Sequence, residues 1–217
     1  MASTGSRHTP KFRRRAEARP DEVLDAALVL FAEKGFAATR VEDVAKQAGL
    51  SKGAVYLYFP SKDAIMEGLV RRALVPVAEN AAQMLAGFEG DPRDAIRAVL
   101  YLIAGKMQDP DTLAVPRLIL HEVAQFPQLA QMYRREVLDR AMPVLVNLIH
   151  RGIAEGVFRP VDAELTLRNV VGPLMMHVLL VEVFGISPAG GFDPQHFIEN
   201  HLDVLFNGLA VPKEDGK

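Results

Sequence analysis

One stretch of 24 residues constrains the fold of this chain more than any other: TRVEDVAKQAGLSKGAVYLYFPSK, residues 39–62. Thr39 and Glu42 have the Thr-x-x-Glu spacing of a capping box, which starts a helix. Val41, Val44, Ala45 and Ala48 then recur at the interval that puts them on one helical face. Gly49 tolerates the left-handed backbone that ends helices. Leu50 faces inward, and Ser51 is a good N-cap for a second helix. That helix carries Lys52 through Tyr58 and stops before Pro60. Helix, glycine turn, helix is the pattern of a helix-turn-helix, whose second helix enters the major groove of DNA.

The second helix carries the groups such a placement needs. Lys52, near its start, can donate to guanine acceptors or to a phosphate. Gly53 lets the backbone come close, and Ala54 can touch a thymine methyl. Tyr56 lies one turn beyond Lys52 on the same face, with a ring and a hydroxyl to offer. Val55 and Phe59, also four apart, suit the interior, and Leu57 fits either side. Thr39 and Arg40 sit where the preceding helix begins, so that backbone N–H groups and side chains favour a phosphate there. For Thr39 a cap alone is an equal reading.

The segment Ser51-Lys52-Gly53-Ala54-Val55-Tyr56-Leu57-Tyr58-Phe59-Pro60-Ser61-Lys62 resembles the recognition helix of the TetR family of bacterial transcriptional regulators. Phe31-Ala32-Glu33-Lys34-Gly35-Phe36 resembles the end of that family's first helix, and the resemblance covers roughly residues 20–70. It implies an all-α protein: a three-helix DNA-binding domain over residues 20–68, then a helical bundle over 69–210 that binds ligand and dimerises. Residues 211–217 are a tail. It also implies that Tyr58 and Lys62 clamp the DNA backbone, and that a homodimer reads a palindromic double-stranded operator.

Charge agrees with this division. Residues 1–75 hold 13 Lys and Arg against 9 Asp and Glu, net +4, while residues 76–217 hold 12 against 18, net −6. A basic head on an acidic body suits polyanion binding at one end only. Residues 1–19 read as a flexible basic arm, with Arg7, Lys11, Arg13, Arg14, Arg15 and Arg19 against Glu17 alone. Such an arm can lie along phosphates or enter the minor groove, with Arg13, Arg14 and Arg15 as its contacts; a solvated tail has the same composition. Pro20 and Asp21 are expected to open the first helix.

Cysteine is absent, which excludes disulfides and Cys-ligated zinc. The polar N-terminus has no signal-peptide core, and the apolar run 170–186 is short for a membrane span. A cytoplasmic protein without a membrane partner is expected. No cofactor, metal site or catalytic set stands out: His196 and His201 are five apart and so leave one helical face.

The remainder reads as helices over 92–107, 112–124 with an interruption at Pro116, 127–156 with a bend at Pro143, 162–184, and from Asp193-Pro194 to Gly208. Pro76 should end or kink the helix capped by Ser61. The helix at 162–184 is apolar nearly all round, so either a second face packs on a partner subunit or the helix is wholly buried within its own chain. Leu174, Val178 and Val181, with Phe197, Leu202 and Leu205 of the last helix, are the expected dimer interface. Met84, Phe88, Met107, His121, Phe126, Tyr133, Met142, Met175 and His177 are the expected effector lining, although methionines at helical spacing serve equally as core. The function this implies is a repressor released by a small lipophilic or aromatic effector. A transcriptional activator, or a global nucleoid-type DNA binder without an inducer, is the alternative.

Overall fold

Eleven α-helices and one π-helical turn carry the described part of the chain in a computed structural model that describes the backbone of residues 11–209 and the side chains of residues 19–208. No β-strand occurs among them. The chain divides into two compact units, Met1–Leu69 and Val70–Lys217.

The first unit is the helix-turn-helix. α1 spans Lys11–Ala38, α2 Val41–Gln47, α3 Lys52–Tyr58, and α4 starts at Lys62 and ends at Ala73. The helix expected to open at Pro20 begins at Lys11 instead and takes Pro20 inside it. Proline removes one backbone donor, which a helix anchored further on can tolerate. What Pro20 marks is where burial begins, since Val23, Leu24 and Ala27 are the first core residues. The basic arm expected over residues 1–19 falls mostly outside the described residues. Phe31 and Phe36 pack edge to face across Gly35, with centroids 5.2 Å apart. Gly35 itself breaks helical geometry at φ 80°, ψ 161°. Val44, Val55, Ile65 and Leu69 complete this core. Each such buried side chain contributes about 1.5–3 kcal/mol.

In the second unit α5 spans Val75–Ala86, α6 Pro92–Lys106, α7 Pro110–Glu122, α8 Pro127–Tyr133, α9 Asp139–Ala154, α10 Ala163–Glu182 and α11 Pro194–Leu209. Pro76 lies in the first turn of α5, where a missing N–H costs nothing. Pro116 does not interrupt α7, which runs through it. The irregularity expected at Pro143 lies a turn earlier, in the π-helical segment Arg134–Leu138, while α9 continues through Pro143. α6, α9, α10 and α11 surround a common core that includes Ile96, Leu100, Leu148, Ile149, Phe158, Leu167, Leu174, Ile198 and Leu202.

α10 is, among the described residues, the one helix long and apolar enough to cross a membrane by length and composition. Its apolar character has an internal cause. Ala163, Leu167, Val170, Leu174 and Val178 are buried in the bundle core on one face. The other face leaves Leu165, Met175 and Met176 more than half exposed.

Candidate nucleic-acid interface

Local capping builds the interface. Ser51 accepts the Ala54 backbone N–H at 3.1 Å and starts α3. Gly49, at φ 67°, supplies the left-handed turn before it. Val55 points inward with 0% exposure, and half-buried Phe59 leans on Gly68, where an added Cβ would lie 2.8 Å from its ring. The opposite side of α3 is open: Leu57 is 83% exposed and Tyr56 41%, so the residue that fitted either side faces solvent. Nothing lies within 4 Å of a Cβ built on Gly53, so the backbone there is free to approach a ligand. Ala54 and Tyr58 are half-buried.

The start of α2 differs from the sequence reading. Its N-cap is Arg40, and Asp43, not Glu42, accepts the cap backbone N–H at 3.2 Å. Thr39 is 1% exposed, and its hydroxyl donates to the carbonyls of Gly35 at 2.8 Å and Leu30 at 3.2 Å. The hydroxyl ties the end of α1 to the α2 corner, which removes it from the set of phosphate donors. Lys62 is turned inward too. Its ammonium donates to the carbonyls of Phe36 at 2.5 Å, Thr39 at 3.0 Å and Ala37 at 3.2 Å, and sits 4.4 Å from the Phe36 ring centroid. The structure gives it a capping role at the α1–α2 corner, which the expected backbone clamp did not include. Local pattern could not reveal this, because the partners lie 23 to 26 residues away.

Glu42 is freed from the cap and instead forms an ion pair with Lys52 of α3. The hydrogen bond from Lys52 holds its carboxyl below the usual range and raises the Lys52 ammonium in turn. Lys52 also lies 5.7 Å from the Tyr56 ring centroid. Sequence spacing named Lys52 and Tyr56 but not this carboxylate beside them. Arg40 is exposed, and Arg13, Arg14 and Arg15 lie on the backbone of α1, with side chains outside the described residues.

In the second unit the expected effector lining is not brought to one place. Phe88, Met107 and Met142 border the bundle core. Met84, His121 and Met175 are exposed, and Phe126 caps the start of α8 half-buried. His177 stacks on Phe192 at 4.0 Å and approaches Phe197 at 5.5 Å, with burial lowering its affinity for a proton. Burial raises the pKa of the Tyr133 phenol. A surface groove of about 200 Å³ between α6 and α11 is lined by Arg97, Glu199, Leu202, Asp203, Phe206 and Asn207, none of them part of the expected effector lining.

The expected dimer residues divide as well. Leu174, Val178 and Leu202 are 0%, 5% and 1% exposed within the protomer, so they belong to its own core. Val181, Phe197 and Leu205 are half-buried. The open apolar positions on these helices are Leu165, Met175 and Met176 of α10 and Val204 of α11. Leu165 and Met176, eleven apart, share one stripe with Gly172, beside which a Cβ would meet nothing within 4 Å.

Comparisons with known proteins agree with this architecture. Bacterial regulatory proteins of the tetR family match residues 23–69, and the tetracyclin repressor-like C-terminal domain matches residues 89–183. The HTH-type transcriptional repressor KstR2 of Mycobacterium tuberculosis is 27% identical over 208 residues, 88% of this chain and 93% of KstR2. Its structure, described as that of a ketosteroid transcriptional regulator, superposes with TM-score 0.64 at 22% identity, over 89% of this chain and 96% of that one. The HTH-type transcriptional regulator YerO of Bacillus subtilis is 44% identical over 196 residues, 88% of this chain and 66% of YerO. The transcriptional regulator FadR of Bacillus subtilis, solved in complex with stearoyl-CoA, has the same fold at TM-score 0.71 and 22% identity, covering 87% of this chain and 98% of that one.

Proposed function

The chain belongs to the TetR family of bacterial regulatory proteins, a ligand-responsive class of DNA-binding regulators, and from that premise we propose how it acts. Two copies hold their α3 helices at the spacing of a palindromic operator and repress transcription there, in the cytoplasm. The observation that carries this reading is the two-sidedness of α3, with Val55 sealed inside while Leu57 and Tyr56 face out. An exposed leucine beside a tyrosine, a lysine and an open glycine offers apolar contact to thymine methyls and donors to guanine. Lys52, Gly53, Ala54, Tyr56 and Leu57 face the bases. Tyr58 and Arg40 take phosphates, as do Arg13, Arg14 and Arg15 of the N-terminal extension.

The dimer forms through α10 and α11 on the Leu165, Met175, Met176 and Val204 side. These four side chains are apolar and uncovered within the protomer. The effector is a small lipophilic molecule admitted at the bundle core bordered by Phe88, Met107 and Met142. Stearoyl-CoA in FadR and the ketosteroid designation of KstR2 support that class. Its coupling to DNA follows linkage: the ligand binds the DNA-incompetent arrangement more tightly by about 1–3 kcal/mol, and DNA weakens ligand binding equally.

Selection of bound duplexes from a random library, followed by footprinting, tests the reading. One palindrome protected at two half-sites about a helical turn apart is expected. Even coating of all sequences contradicts it. Tyr56→Ala should abolish the preference for the selected duplex. Stearoyl-CoA and a ketosteroid are then titrated into the complex. Release by either supports a lipophilic effector, and release by neither at saturation counts against it.

A further inference from the structure

The Glu42–Lys52 pair places a carboxylate at the surface that Lys52 and Tyr56 offer to DNA. A carboxylate near a polyanion is repelled, so its presence there needs a reason. It is not a cap, since Asp43 accepts the Arg40 N–H and fills that part. It does not brace the core either, because the side chains of Glu42 and Lys52 are each 52% exposed. What it does is fix one long, mobile cation. Lys52 has three donors on a flexible stem, and Glu42 in α2 holds it across the turn while the Tyr56 ring lies 5.7 Å away.

We propose that Glu42 is a positioning residue for sequence discrimination: it withholds Lys52 from phosphates and keeps its remaining N–H donors aimed at a base edge. This rests on the regulator reading above. A lone lysine at the start of α3 would join any phosphate within reach and release a counterion on every sequence alike. Paired with Glu42 it contributes little to that sequence-independent attraction. On a duplex presenting a guanine beneath it, the two uncommitted N–H groups meet O6 and N7. The pair thereby lowers affinity for the bulk of DNA while leaving the chosen site its contact.

The experiment measures binding of the full chain to a 30-base-pair random-sequence duplex and to a library-selected duplex between 50 and 200 mM salt. Wild type is compared with Glu42→Gln, Lys52→Gln and the double variant. On random DNA, Glu42→Gln should bind more tightly at low salt. Its log affinity should fall more steeply with log salt, by about 0.9 per subunit or about 1.8 per dimer. Across that fourfold salt range this is about a 12-fold larger loss of affinity than for wild type. Its preference for the selected duplex should shrink. The double variant should return to the wild-type slope, because the steepening requires the freed lysine. A Glu42→Gln slope parallel to wild type overturns the proposal, and so does a double variant as steep as Glu42→Gln, which would mean simple loss of repulsion. Wild-type chain that binds neither duplex overturns the regulator reading, and this inference with it.

Discussion

Replacing Lys62 by methionine separates two roles that a lysine at this position could have. The substitution keeps most of the aliphatic stem and removes the ammonium, with its bonds to the carbonyls of Phe36, Ala37 and Thr39 and its approach to the Phe36 ring. Hydrogen bonds from a charged donor contribute about 1.5–3 kcal/mol each when well formed. Half-burial lets water replace part of this. A net loss of about 2–4 kcal/mol is therefore expected, falling on the α1–α2 corner. Thr39 ties the same corner through Leu30 and Gly35, so it should loosen rather than unfold. Amide hydrogen exchange followed by mass spectrometry should show faster exchange across residues 36–45, together with a lower melting temperature. DNA affinity should fall on all sequences, because fewer molecules hold α3 in place. The result that would refute this reasoning is unchanged protection with a salt slope shallower by about 0.9 per subunit, the signature of a phosphate contact.

Three further outcomes follow from the second unit. Glu136 is 2% exposed and accepts from Arg135 at 2.8 Å, Arg71 at 3.0 Å and Arg140 at 3.4 Å, so Glu136→Gln should cost about 2–3 kcal/mol in chemical denaturation. Hydrogen bonding from Arg135, opposed by burial and aided by Arg71, holds this carboxyl below its usual range. A folded-state pKa below the unfolded value means the stabilisation is full above about pH 5 and fades as pH falls through and below about 4.3. Wild type and Glu136→Gln should therefore converge in acid, and parallel curves would contradict the assignment. Gly152→Ala places a Cβ 2.2 Å from the buried Phe158 ring. It should destabilise by about 1–3 kcal/mol despite alanine's better helix propensity, and a stabilised variant would show that Phe158 can move aside. Met176→Glu puts a charge on the exposed apolar stripe of α10 twice in a two-fold dimer. Sedimentation should show dimerisation weakened on the order of 10³-fold or more in favour of monomer, and an unchanged dimer would place the interface elsewhere.

How far the sequence was readable depended on how local the cause was. Ser51 capping α3, Gly49 turning the chain and Val55 facing inward are decided within a few residues, and each is found where spacing put it. The same locality exposed Lys52 and Tyr56. The bonds of Thr39 and Lys62 are not legible locally, because they run to carbonyls that only the folded α1–α2 corner brings near. The capping carboxylate is Asp43, one residue beyond the expected Glu42, and that offset leaves Glu42 to pair with Lys52. In the second unit the apolar stripe of α10 signalled two buried faces but not which face turns inward. Leu174 and Val178, expected at the dimer interface, turn inward, while Met175 and Met176 occupy the outer side. The π-helical segment Arg134–Leu138 left no mark in the periodicity, and Glu136 gathers its arginines from α4, α9 and its own turn.

The central claim is that a paired set of α3 helices reads base sequence. The most direct measurement is the affinity ratio between a library-selected palindrome and a scrambled duplex of equal length at 150 mM salt, for wild type and for Tyr56→Ala. The wild-type ratio should be on the order of 10³ or more, with two chains bound per palindrome, and should collapse toward unity in Tyr56→Ala. A wild-type ratio near one, or a large ratio untouched by the loss of Tyr56, would contradict it.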